Sequence, residues 1–139
     1  MSGQIPKRWP DMEAWFITTV KAGLTAAGET ATVVNLKPAA TGAYRQVIVA
    51  ADPGQLITPI SRYVRLRVQV WSVRSNGTTA DLADSRDLAD LVGFIVESAP
   101  RNGNPIVAAE VDAGPSRVKD TESGIEYHAS NILLEVHAL

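Results

Sequence analysis

His128 and His137 are the only side chains in this 139-residue sequence whose ordinary pKa lies near neutrality, and there is no cysteine. The lack of cysteine removes disulfides, thiolate nucleophiles and every zinc pattern built on Cys. Nine residues apart on one expected strand, the two imidazoles fall on opposite faces. Each reads as a surface or internally satisfied histidine, and no metal or cofactor is expected. The acidic series Asp81, Asp84, Asp87 and Asp90 has a three-residue spacing that precesses around a helix, so its carboxylates do not meet at one point. Asp81 and Asp84 instead suit a helix N-terminus, where the macrodipole favours negative charge. The sequence has neither G-x-x-x-x-G-K-[ST] nor G-x-G-x-x-G for phosphate, and no G-x-S-x-G elbow. A nucleophilic triad requires no local spacing, but no motif here points to one. The expectation is a protein that is not an enzyme.

The remaining reactive types are arginines, and four of them sit in or beside one run, Ser61–Val73. Val64, Leu66, Val68 and Val70 alternate there with Tyr63, Arg65, Arg67, Gln69 and Trp71. A period of two means a strand with one apolar and one polar face. At about 3.3 Å per residue it reaches about 43 Å, far beyond an average strand. Arg, Tyr and Trp are enriched at protein–protein interfaces, so Tyr63, Arg65, Arg67, Gln69 and Trp71 are candidate subunit-interface residues. A long edge hairpin with a merely solvated polar face would show the same alternation. Nucleic-acid binding would draw on Arg62, Arg65, Arg67 and Arg74, yet only Arg65 and Arg67 share a face. The chain carries a net charge of −2, a weak basic footprint for a DNA reader.

That net charge hides a split. Residues 1–74 hold nine Lys/Arg against four Asp/Glu, and residues 75–139 hold four against eleven. Opposite-signed halves can attract between copies, or the two sets can intermix in the fold and cancel. Length and an apolar fraction of 45% indicate one domain, 1–139, with a real core. No apolar run approaches a membrane span, and MSGQIPKRWP has no apolar stretch typical of a signal peptide.

The elements that must position these residues follow from pattern. Pro10 and Asp11 open a helix in which Met12, Trp15, Phe16, Val20 and Leu24 recur at helical spacing, and Gly28 ends it. Residues 32–36 and 44–51 read as strands, the second closed by the turn Asp52-Pro53-Gly54, with a loop to Ile60. After the long strand, Asn76-Gly77 breaks the chain. Thr78 begins a second helix, Thr78-x-x-Asp81 having capping-box spacing. Leu88, Leu91, Val92, Ile95, Val96 and Ala99 form its apolar stripe. Phe94 falls on the polar side and joins the interface candidates. Pro100 and residues 101–105 stop the helix. Residues 106–112 make a fourth strand, Ala113-Gly114-Pro115 a turn, 117–124 a polar loop, and 126–139 a final strand. The order α-β-β-β-α-β-β lacks a βαβ repeat, which predicts an α+β domain: a single, mainly antiparallel sheet with two helices packed on one face. Its core should join Val64, Leu66, Val68, Val70, Ile132, Leu134 and Val136 to Trp15, Phe16, Val20, Leu91 and Ile95. Three polar loops, 52–60, 73–79 and 117–124, are candidate docking surfaces through Asp52, Gln55, Arg74, Asn76, Lys119, Asp120 and Glu122.

From Val33 to Leu139 the chain resembles phage tail terminator proteins, especially those of siphophages infecting actinobacteria. The resemblance rests on order and pattern. A long strand ending Val68-Gln69-Val70-Trp71 precedes a helix rich in Ala, Asp and Leu over residues 80–92. A short strand, Gly114-Pro115-x-x-Val118-x-Asp120, Gly124, Tyr127 and an amphipathic last strand follow. It implies a structural virion protein that closes as a ring, commonly of six copies, on the head-proximal end of the tail tube. Such a ring stops tube growth and joins the head-side connector. Its partners would be itself, the tail tube protein and the connector protein, with DNA passing through the lumen without specific binding and no membrane involved. Assembly would take place in the host cytoplasm. The alternatives are a head–tail connector or neck protein, a nucleic-acid-binding module, or a small α+β enzyme.

Overall fold

A computed structural model describes residues 8–99 and 106–138. Helix α1 (Met12–Ala26) leads to strand β1 (Thr32–Val34), β2 (Tyr44–Thr58) and β3 (Ser61–Val73). Helix α2 (Leu82–Ser98), β4 (Ile106–Lys119) and β5 (Glu126–His137) complete the chain. The five strands form one sheet in the order β1-β2-β3-β5-β4, parallel only between β1 and β2. This is the expected α+β order, with a mostly antiparallel sheet. The helix stop at Pro100 and residues 101–105 lies outside the described residues, as does Leu139.

The strand with the clearest alternation takes the centre. β3 pairs with β2 along its whole length, and with β5 from Ser61 to Val70. Its apolar row, Val64, Leu66, Val68 and Val70, is buried with Val47 and Val49 of β2 and Ile132, Leu134 and Val136 of β5. Phe16, Val20 and Leu24 of α1 and Leu88, Val92 and Val96 of α2 cover this face. Trp15, Leu91 and Ile95, expected in the core, pack at its rim and stay half-buried. Leu91 and Ile95 sit to one side of the α2 stripe that meets the sheet. The helices approach closely at Gly23, where a Cβ would lie 2.7 Å from the Ile95 side chain.

Each helix is started by an aspartate. Asp11 accepts from Ala14 N at 3.1 Å, and Asp81 accepts from Asp84 N at 3.1 Å. Helix α2 therefore begins at Leu82 rather than Thr78, because Asp81 is the cap itself and not the acidic residue that closes a capping box begun at Thr78. Asp84 looks inward instead. Its carboxylate takes Nε and Nη2 of Arg45 at 2.9 and 3.2 Å and accepts from the Ser72 hydroxyl. Arg45 also reaches Glu29 at 2.9 Å and the Thr30 carbonyl at 3.0 Å. One guanidinium thus ties the first turn of α2 and the exit of α1 to β2.

Two expected turns are absent. Asp52-Pro53-Gly54 does not close β2, which continues to Thr58 and makes a long hairpin with β3. Proline is tolerated at sheet edges and bulges, and this segment is both. β1 ends opposite Ile48, and the ladder shifts register between Pro53 and Leu56. Likewise Ala113-Gly114-Pro115 is a bulge within β4, not a turn. Gly114 has φ 89°, and a Cβ there would collide with the Ala129 carbonyl oxygen.

Leu66 is fully buried at the middle of the central strand. Leu66→Ala should cost about 2–5 kcal/mol in chemical denaturation. A loss below about 1 kcal/mol would show that its surroundings collapse into the space.

Candidate interaction face and the Ser85–His128 pair

The face of the sheet away from the helices carries the other β3 row. Tyr63, Arg65 and Arg67 are exposed there and Gln69 is half-buried. Both arginines are engaged by carboxylates of other strands: Arg65 pairs with Asp112 of β4 at 3.1 Å, and Arg67 with Asp52 of β2 at 2.7 Å. Such exposed pairs contribute little to stability, but they neutralise the face. Asp52 and Gln55, expected in a loop, are strand residues of the β2–β3 hairpin.

Trp71 is corrected. It is only 2% exposed and unavailable to a partner. Its ring stacks on Tyr127 at 4.4 Å between centroids, the Lys37 ammonium lies 4.5 Å above it, and its indole N–H donates to Gln69 at 3.1 Å. Trp71, Val73 and Ile125 form a second small core at this end of the helix-free face. Alternation placed Trp71 on the correct face, but could not show that chain segments fold over it. Phe94 is 67% exposed, as its wheel position requires, but it lies on α2, in the layer opposite Tyr63 and the arginines. The structure does not bring these candidates together.

The remaining candidates lie at the end of β3 opposite the hairpin tip, all but Lys119 in tight turns. Asn76 accepts from the backbone N–H of Thr78 and Thr79 at 3.0 and 2.9 Å, and Arg74 N donates to the Thr79 carbonyl. Lys119 belongs to β4, where it pairs with Glu126. Asp120 accepts from Ser123 Oγ at 2.6 Å and Ser123 N at 3.0 Å, which holds its carboxyl below the usual carboxylate range. Glu122 is exposed in the same turn.

The sequence reading missed the partner of His128. Ser85 stands on the core side of α2, one turn before Leu88 and Ala89, and its Oγ lies 2.6 Å from His128 Nδ1. A serine on an apolar helical stripe is the signal that could have revealed this, since a buried hydroxyl needs a partner. The pair has the reach of a nucleophile and a base. However, Ser85 is 1% exposed and its oxygen also donates to the Leu82 carbonyl at 3.2 Å. It acts as a strut between α2 and β5. His137 is exposed near the far end of β5. Among the described residues no three His, Asp or Glu side chains gather as a metal site, and no helix is long and apolar enough to cross a membrane.

Burial pushes the His128 imidazole below its ordinary pKa of 6.5, and the charges of Arg86 and Arg117 push further, against Asp90 and Glu126. The folded state therefore holds His128 neutral where the unfolded chain takes up a proton. Its contribution is full above about pH 6.5 and is lost as pH falls through the window below. Denaturation at about pH 7.5 and about pH 5.5 should show lower stability at the acid side, and His128→Gln should shrink that difference. An unchanged difference in the variant would assign the pH dependence elsewhere. In comparisons with known proteins, no family model matches the chain and no curated relative is found.

Proposed function

We propose that this chain is a structural phage protein that assembles with copies of itself into a ring at the head-proximal end of the tail, capping the tube and offering the joining surface to the head connector. The tail-terminator resemblance over residues 33–139 suggests the role. The observation that carries the assembly reading is the β2–β3 hairpin, which extends beyond the short β1 and ends in an apolar tip. Leu56 and Ile60 are 60% and 58% exposed there, and Ile57 stands beside them. Exposed aliphatic side chains grouped at a hairpin tip suit a contact with a second copy. A hairpin reaching a different surface of its neighbour makes the heterologous contact from which rings close. The hairpin tip and the turns at 74–79 and 120–124 lie at opposite ends of the sheet, so one subunit offers two separate ends to two neighbours in a stack. The pairing of Arg65 and Arg67 with carboxylates weighs against nucleic-acid binding on this face.

Leu56→Asp with Ile60→Asp should leave the fold intact and abolish assembly, read as mass in native mass spectrometry with and without purified tail tubes. Assembly at wild-type level would remove the hairpin tip from the interface. Electron microscopy of particles made without this protein tests the role itself. Overlong tails are the expected result. Tails of normal length without heads would assign the chain to the connector, and normal tails joined to heads would overturn both roles.

A further inference from the structure

A cleft of about 560 Å³ opens between the first two turns of α2 and the bulged part of β4. Leu82, Ala83 and Pro115 supply its apolar walls. The other three lining residues, Arg86, Arg117 and His128, are all basic, and no carboxylate lines it. A cleft lined by one sign of charge concentrates potential of that sign.

The donors in this cleft are uncommitted. Arg117 uses Nε for Glu126 at 2.6 Å, which leaves the terminal nitrogens of its fork without a partner among the described residues. Arg86 is exposed and has no ion-pair partner among them. His128 is more than nine-tenths buried, and Ser85 occupies its Nδ1, so Nε2 is the nitrogen left to the cleft. We propose that this cleft binds a small oxyanion of the phosphate class, with Arg86 and Arg117 as its charge partners and the Nε2–H of the protonated His128 ring as a hydrogen-bond donor, Nδ1–H being held by Ser85 Oγ. The charged groups around the imidazole come from three elements: Arg86 and Asp90 from α2, Arg117 from β4, and Glu126 from β5. The two arginines outweigh the two carboxylates at His128, so the site is electropositive without a ligand. A bound anion reverses that balance and favours the protonated ring, so binding and proton uptake are linked.

The test uses the proton signals of the two imidazoles, with His137 as the internal reference. Inorganic phosphate at about 10 mM, tenfold above a millimolar dissociation constant, should shift the His128 signal and raise its titration midpoint. Sodium chloride at the same ionic strength should do so less, and His137 should follow ionic strength alone. Arg86→Gln with Arg117→Gln, both at exposed positions, should weaken phosphate binding about tenfold or more while the fold is kept. A short oligothymidylate titrated in parallel identifies the source of the anion. A comparable response supports a phosphodiester backbone as ligand, and a response to phosphate alone supports the free ion. A His128 signal that moves only as salt moves it, or a double variant that binds phosphate like the wild type, overturns the proposal.

Discussion

The fold depends on β3 having neighbours on both sides. From Val64 to Val70 each residue is held in continuous register with β2 and with β5. A slip of one residue would turn Val64, Leu66, Val68 and Val70 out to solvent and bring Arg65 and Arg67 into the core. Charge burial on that scale is prohibitive, so the register has one solution. Once it is fixed, both helices must cover the apolar face, and the Tyr63–Gln69 row must look the other way.

The same constraint explains what could be read from the sequence. The bounds of β3, the element order and the single core face were legible because alternation at period two and helical spacing are local signals. Pro53 and Gly114-Pro115 were misread because local chemistry marks them as breakers, whereas position in the sheet decides what they break. On an edge or at a bulge they bend the ladder and leave the strand running. The burial of Trp71 and the Ser85–His128 contact were out of reach for a different reason. The environments of Trp71 and Ser85 are made by Tyr127 and Lys37, and by His128. These partners are distant in sequence, and no short-range pattern encodes such pairing.

The charge division between the halves of the chain does not survive folding as a simple polarity. Arg45 and Asp84 meet across the halves, as do Arg65 and Asp112. Arg67–Asp52 and Arg117–Glu126 close within them. Of these contacts, the one around Arg45 shapes the molecule most, because it is partly buried and bidentate and joins three elements. The pairs on the helix-free face contribute little energy. They do set its character: a mixed-charge surface on which Arg65 and Arg67 are paired with carboxylates.

Rigidity is distributed in a way that bears on assembly. The turns at 74–79 and 120–124 are braced internally by Asn76 and Asp120. The open edge of β2 is partly tied down, with the Ala51 N–H donating to Glu13 of α1 at 2.9 Å. A surface already ordered before it meets a partner loses less conformational freedom on binding. Beyond Ala51, β2 has only β3 beside it, while β3 stays paired with β5 as far as Ser61, so the apolar tip stands at the end of an open sheet edge. Exposed aliphatic side chains at such an edge gain from burial against a neighbour. The tip is therefore the place where a neighbouring subunit would bury most exposed apolar surface, while the face under the two helices already has its core.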